Sequence, residues 1–323
     1  MVVENAQLSP SAIVAYITAY EDPQAVQTCL DGINCQSQPV EAIIIVDNSI
    51  QSPLNSSALK SNAKLTINSC PENVGVAKGL RIALAWAFEQ GYDFLWTFDQ
   101  DSVPASDCLE KLLKTYYSFN QPDYPLGIVA PTAWDLQTET TITAANFHND
   151  QFLGYACPET TSPYECDAPI TSGSLISLSV AKSVFSHSPI AELFIDGVDL
   201  EYGMSLKAQG YHHLIVPNAL LYHRFGSPMT VTVWGKQKQI YQYSALRHYY
   251  LCRNYTYLTM RYAQGKFRLS ALRRRLTYLI KTSLLIWLFD PSTKAEKFRK
   301  IGACWRGTGE GICLKRQLPY SQI

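Results

Sequence analysis

Three continuous apolar, β-prone runs, Ser11 to Tyr20, Ala42 to Val46 and Phe94 to Phe98, set the terms for the fold. Each stops abruptly at a polar tip: Tyr20-Glu21, Asp47-Asn48-Ser49 and Asp99-Gln100-Asp101-Ser102. Runs this unbroken suit strands buried on both faces, as in a parallel sheet covered by helices. Between the first two, Ala25, Val26, Cys29, Leu30 and Ile33 recur at helical spacing after a turn at Glu21-Asp22-Pro23. Strand, helix and strand within about 40 residues form a βαβ unit, so the chain reads as α/β. A first turn without Gly-x-Gly-x-x-Gly, and the lack of a Gly-Lys-Ser/Thr loop, argue against a dinucleotide fold of the usual type and a P-loop ATPase.

The same alternation continues. Leu65-Thr66-Ile67 is a short strand, and a helix through Leu80, Ala83, Leu84, Ala87 and Phe88 closes at Gly91. Further helices are expected over about Ser106–Tyr117, Val180–His187 and from Asp199 to about Gln209. Strands are expected at Gly127–Ala130, Ile170–Ser177, His213–Val216 and from Leu220. Trp134 to Asp167 lacks periodicity and reads as a long functional excursion. From Tyr241 on the chain turns helical, over Tyr241–Arg261 and Leu269–Phe289. With 323 residues, 47% hydrophobic and 17% charged, the material suffices for one large domain with an extension. We place the boundary between 1–235 and 236–323.

Asp99 and Asp101 stand two apart at a strand end, where side chains at i and i+2 point the same way. Ligands of open α/β sheets bind outside the carboxyl ends of the strands. Two hard oxygen donors there suit Mg²⁺ or Mn²⁺ shared with a substrate diphosphate; the plainer alternative is a helix cap and a solvated turn residue. Imidazole from His223, after the apolar run Leu220-Leu221-Tyr222, would be a fitting third ligand, although a single histidine there also suits simple packing. Asp196, Asp199 and Glu201 gather at a helix entry, where the dipole favours carboxylates. Three in six residues exceed what a cap needs, and one beside a substrate hydroxyl can act as general base.

Zero net charge hides an asymmetry: 24 acidic against 7 basic residues up to Glu201, net −17, then 20 basic against 3 acidic, net +17. The basic half calls for an anionic partner, such as a membrane surface, a lipid-phosphate carrier or nucleic acid, or for the acidic half of its own chain. Its aromatic and basic helices, with a Leu-Ile-Trp-Leu-Phe end, suit either a membrane interface or a cap on the catalytic domain. No nucleic-acid-binding motif accompanies them, so no nucleic-acid partner is expected. Nine scattered cysteines without Cys-x-x-Cys, and a start without a secretory signal, point to reduced thiols in a cytoplasmic protein, at most peripheral on the inner membrane face. No run reaches the length of a membrane span.

Taken in order, Val-Asp-Asn-Ser, Asn-x-Gly-x-Ala, Asp-Gln-Asp-Ser, Thr-Ser-Gly-Ser-Leu, Phe-Ile-Asp-x-Val-Asp-x-Glu and His-Arg-x-Gly resemble the family 2 glycosyltransferases of the GT-A fold, above all the bacterial rhamnosyltransferases, and the galactofuranosyltransferases as well. The resemblance runs from about Ile13 to Asn254, and weakly to Trp305-Arg306-Gly307. It implies a Rossmann-like mixed sheet flanked by helices and a helical C-terminal extension. The implied activity is inverting, metal-dependent transfer of a sugar, best matched by L-rhamnose from a dTDP donor, onto a polysaccharide or lipid-linked glycan. A UDP-galactofuranose or other UDP-hexose transferase is the alternative, and a non-catalytic carbohydrate-binding relative is the competing class.

By the same resemblance, Thr18, Tyr20, Asp47, Asn73, Gly75, Asp99 and Gln100 would hold the nucleotide sugar. Asp101 and His223 would bind Mn²⁺ or Mg²⁺, and Asp199 would be the catalytic base. Ser172, Gly173, Asp196, Glu201 and Arg253 would serve the acceptor side or support it. A homo-oligomer fits as well as a monomer. The chain departs from the family pattern at Ala19 and Glu21, Arg81, Gly197 and Tyr202.

Overall fold

The computed structural model describes residues 11–155, 160–224, 228–233 and 236–314. In chain order these form β1 (Ile13–Ala19), α1 (Pro23–Asn34), β2 (Ala42–Asp47), β3 (Lys64–Ser69), α2 (Gly75–Gln90), β4 (Phe94–Asp99), β5 (Ser102–Pro104) and α3 (Cys108–Phe119). There follow β6 (Leu126–Asp135), β7 (Thr140–Ile142), β8 (Ala145–His148), β9 (Gln151–Gly154), β10 (Tyr164–Glu165), β11 (Leu175–Ser177), α4 (Leu178–Val184) and α5 (Val198–Lys207). The chain then runs through β12 (His212–His223), β13 (Pro228–Val233), β14 (Lys236–Tyr241), α6 (Ala245–Tyr262), α7 (Phe267–Phe289) and α8 (Lys294–Leu314).

The main sheet runs β10-β12-β6-β11-β4-β1-β2-β3. Strands β4, β1, β2 and β3 pair in parallel, and so do β6 and β12, while β11 is antiparallel to both of its neighbours. This is the mixed, helix-flanked sheet expected of a GT-A fold. Alternation along the strands divides two cores. Val14, Tyr16, Ile44 and Val46 pack towards α2, α4 and α5, whereas Ile13, Ile17, Ile43 and Ile45 pack towards α1 and α3. Register puts Thr18 beside Asp99 and Ala19 beside Asp47, which gathers the polar tips of β1, β2 and β4 on one edge.

Local signals hold where they were strong. Asp22 caps α1 by accepting from the Ala25 N–H at 3.0 Å, with Pro23 in the first turn, and Gly91 ends α2 in the left-handed conformation. The excursion after Trp134 is more regular than expected. Its described part pairs as β7 on β6, β8 on β9, and β10 on β12, by backbone bonding that has no apolar periodicity behind it. Tyr241 ends β14 rather than starting a helix, and the third C-terminal helix, α8, is an addition.

Helix α8 packs along α6 by glycines. A Cβ on Gly307 would meet the Tyr249 carbonyl oxygen at 2.3 Å, and one on Gly311 the Arg253 carbonyl oxygen at 2.4 Å. Eight described cysteines are free thiols, and Cys157 lies outside the described residues. Among the described residues no helix is long and apolar enough to cross a membrane.

Candidate active site at the carboxyl edge of the sheet

The strand end that carries Asp99 is pinned from three sides. Tyr20 and Gln100 exchange hydrogen bonds, the Tyr20 N–H donating to Gln100 Oε1 at 2.7 Å and Gln100 Nε2 to the Tyr20 carbonyl at 3.0 Å, which ties the β1 tip to the Asp-x-Asp turn. The Asp99 N–H donates to Ser172 Oγ at 3.0 Å, and Ser172 Oγ donates to Ser102 Oγ at 2.7 Å. Ser102 Oγ in turn lies 2.7 Å from His223 Nδ1, and the pairing of β5 with β12 sets Ser102 opposite His223.

The outcome is a compact donor set. One ligand atom each from Asp99, Asp101 and His223 lies within 4.8 Å of the others, with His223 Nδ1 3.4 Å from Asp101 Oδ1. Two carboxylates and an imidazole at that span fit a hard divalent cation. The capping alternative fails, because Asp99 ends a strand and α3 begins only at Cys108. Burial raises the Asp99 carboxyl; Asp101 and Asp196 add to the rise, and His223 and Arg247 oppose it. Of the His-Arg-x-Gly motif, Phe225 and Gly226 lie outside the described residues.

The second carboxylate group sits on the segment entering α5. Phe194, Asp196 and Gly197 all have positive φ, near 63°, 63° and 78°. Gly197 is the N-cap of α5, and its left-handed backbone explains glycine where the family pattern has an aromatic residue. This strained loop is held from α6. Asn254 Nδ2 donates to the carbonyls of Leu193, Ile195 and Asp196, each at 2.8 Å. Arg253 donates to the Glu192 carbonyl and to Asn254 Oδ1, and lies over the Tyr250 ring at 4.7 Å. Arg247 grips the Asp196 carboxylate with both Nε (3.3 Å) and a terminal nitrogen (3.1 Å).

Asp199, half-buried in the first turn of α5, differs from its neighbours. Burial pushes its carboxyl up to about 6, with Asp196 and Asp99 adding to the rise and backbone N–H groups of Leu200 and Asp199 opposing it. A carboxyl so raised suits a general base near neutral pH. Glu201 takes the supporting side of its expected role: it is fully buried and accepts from Ser188 Oγ, the Ile190 N–H and Ser205 Oγ, so it braces the 188–190 segment.

The remaining expected residues are spread along the same edge. Asp47 is 1% exposed and accepts from the N–H groups of Ser49 and Leu54, so its carboxylate shapes the 48–54 loop. Asn73, with φ near 51°, accepts from the Gly75 N–H, while Val74 donates to Asn48 Oδ1. Gly75 stands against Phe194, which a Cβ there would meet at 2.5 Å. Thr18 is half-buried and Tyr20 exposed on the rim. The Gly173 carbonyl accepts from the Trp96 indole at 2.9 Å.

Sequence reasoning missed Glu21, whose carboxylate accepts from the N–H groups of Ile50, Gln51 and Ser52. Its signal was available, since it replaces the asparagine of the family pattern. Ser102 was also given no role of its own, and Asn254, read in sequence only as part of the Arg253-Asn254 stretch that resembles the family's Arg-x-Tyr-Tyr-x-x-Arg-Asn, turns out to act through its tertiary partners.

Residues 14–146 match the family model described as Glycosyl transferase family 2. The chain is 27% identical over 277 residues to the dTDP-rhamnosyl transferase RfbF of Shigella flexneri, covering 85% of this chain and 87% of that protein. Among solved structures it resembles GalNAc-T7 with UDP, GalNAc and Mn²⁺, at a TM-score of 0.57 and 11% identity, over 97% of this chain and 59% of that one. It also resembles S. aureus TarS residues 1–349 in complex with UDP-GlcNAc, at a TM-score of 0.54 and 11% identity, over 95% and 82%. At that identity the structural likeness speaks for the fold.

Proposed function

The chain is a glycosyltransferase with a family 2 domain, and from that premise we propose that it transfers a sugar from a nucleoside diphosphate donor, best matched by dTDP-rhamnose, onto a hydroxyl of a glycan or lipid-linked glycan. The observation that carries this reading is the Asp99–Asp101–His223 cluster beside a carboxylate, Asp199, raised into the range of a base. The rhamnosyl relative, which spans most of this chain, supports the choice of donor.

Asp99, Asp101 and His223 would hold Mn²⁺ or Mg²⁺. When bound, such an ion offsets the charge that grows on a departing diphosphate. The rest falls to the chain itself. Tyr20, Gln100 and the loop shaped by Asp47 and Glu21 line the edge where the nucleotide would rest. Asp199 takes the proton from the acceptor hydroxyl as that oxygen attacks the anomeric carbon, opposite the leaving diphosphate. Arg247 and Asn254 keep the Asp196–Asp199 segment in place. Glu201, the candidate second carboxylate, is enclosed and bonded on both carboxylate oxygens, which takes it out of contention as a nucleophile and supports single displacement with inversion. In this reading residues 1–235 form the catalytic unit and 236–323 a buttress that lends it α6.

Calorimetric titration with dTDP, UDP and GDP, with and without Mn²⁺, tests the reading. The expected result is metal-dependent binding, tightest for dTDP, that Asp101→Ala abolishes. Preference for UDP would move the donor to a UDP-sugar and leave the mechanism intact. Binding of none of the three would overturn it.

A further inference from the structure

Helix α7 is apolar on two sides, one more than the fold uses. Ala271, Leu279 and Ile286 are buried inward, with Leu279 and Ile286 packed beside Cys252 of α6 and Cys304 of α8. Outward, Leu269, Leu276, Ile280, Leu284, Trp287 and Leu288 are between 41% and 75% exposed. Their steps of seven, four, four, three and one residues keep them on one stripe of the helix. Phe298 of α8, 62% exposed, packs against Trp287 with ring centroids 5.4 Å apart and planes inclined at 57°, and widens the end of the stripe. A run of large apolar side chains this continuous marks an interaction surface, whereas scattered ones would not.

The charges beside the stripe select what covers it. Arg273, Thr277 and Lys281 follow one another at four-residue intervals along one edge, and Lys294 stands exposed where α8 begins. Helix α7 contains no Asp or Glu, and none occurs anywhere between Glu201 and Asp290. A second copy docking by the same face about a two-fold axis would set these cations against their own counterparts. An anionic bilayer meets both features at once: its acyl boundary accepts the leucines and Trp287, and its headgroups accept Arg273 and Lys281. Among the described residues no helix is long and apolar enough to cross a membrane, so such a contact lies in the interface plane.

We infer that the outward stripe of α7, extended by Phe298, is a docking surface for an anionic lipid bilayer. The inward side of the same helix reaches the catalytic segment: Arg275 donates to Thr256 Oγ1 and lies over the Tyr255 ring, and Tyr255 is close enough to Asp199 and Asp196 to feel their charge. Docking by α7 therefore holds the base of the catalytic unit at the lipid surface, where a lipid-borne acceptor would be met. The inference concerns the surface alone and survives a change of donor sugar.

Co-sedimentation of the full chain with phosphatidylcholine vesicles, with and without phosphatidylglycerol, is the test. The chain is expected to bind only the anionic vesicles, less at high salt. Leu284→Gln with Trp287→Gln should weaken binding about tenfold or more, and so should Arg273→Glu with Lys281→Glu. Both pairs are exposed, so nucleotide binding and the thermal transition should stay unchanged. No vesicle binding by the wild-type chain would overturn the inference. Equal binding to neutral vesicles would overturn its electrostatic half. A concentration-dependent dimer broken by the same apolar substitutions would assign the face to a second copy instead.

Discussion

Ser102 Oγ lies 2.7 Å from Nδ1 of His223, a side-chain contact that adds to the β5–β12 pairing in joining the Asp-x-Asp turn to the far end of β12. The hydroxyl also accepts from Ser172, which in turn accepts from the Asp99 N–H. A bond at one ring nitrogen sets the orientation and tautomer of a ligating imidazole. Ser102→Ala should therefore raise the Mn²⁺ concentration needed for half-maximal activity about tenfold, while activity at saturating metal stays near that of the parent. His223→Ala and Asp101→Asn should lose metal-dependent nucleotide binding altogether. If Ser102→Ala left the metal titration unchanged, the serine relay would have no part in the site.

With Asp199 as the proposed base, its raised carboxyl sets the expected pH profile. A base must be deprotonated, so kcat/KM should climb with slope one through about pH 6 and level off above it. Asp199→Asn should lower kcat by about three orders of magnitude or more at every pH. A wild-type rate independent of pH between 5 and 8 would place the base elsewhere.

The same shift has a stability consequence of defined sign. A carboxyl raised by folding favours the protonated native state, so its contribution is present at low pH and is lost as pH rises through about 6. Asp199→Asn removes that penalty. Partial exposure screens it, so the variant should be about 1–2 kcal/mol more stable than the parent at pH 7, the difference closing towards pH 4. Thermal melts at the two pH values read both numbers. The trade of stability for a poised carboxylate is characteristic of functional sites.

Asn254 secures three carbonyls of a loop whose backbone is left-handed at Phe194, Asp196 and Gly197. Asn254→Ala should cost about 2–4 kcal/mol and lower kcat about a hundredfold, by freeing the Asp199 segment. Asn254→Asp should do no better, because a carboxylate has no hydrogen to give. Full activity in either variant would show that the loop holds itself.

The packing of α8 on α6 gives a matched control. Gly307→Ala and Gly311→Ala drive a methyl group into the carbonyls of Tyr249 and Arg253, and each should cost about 3 kcal/mol. Gly309 has nothing within 4 Å of its would-be Cβ, so Gly309→Ala should be neutral or gain up to about 1 kcal/mol. Equal effects at all three positions would mean that helix propensity, and not contact, sets the outcome.

What the sequence determined by itself was whatever local periodicity and end chemistry can encode. The unbroken apolar runs of β1, β2 and β4 specify buried parallel strands, and their polar tips mark the edge that binds. Asp99, Asp101, His223 and Asp199 could be singled out because metal binding and proton transfer would demand such side chains at such places, and the structure brings the first three within 4.8 Å of one another. Tertiary structure alone decided the rest. Glu201 is as acidic as Asp199 and two residues away, yet helical geometry turns it into the core, where Ser188 and Ser205 hold it. Asn254 and Ser102 sit in recognisable stretches, but what they hold carries no local signal, since their partners stand about 60 and 120 residues away in the chain. The glycines of α8 look like helix breakers until α6 is seen against them. Each outcome turns on which groups face one another across the packed core, and a hydrogen bond or a close approach between distant segments leaves no period in the chain that makes it.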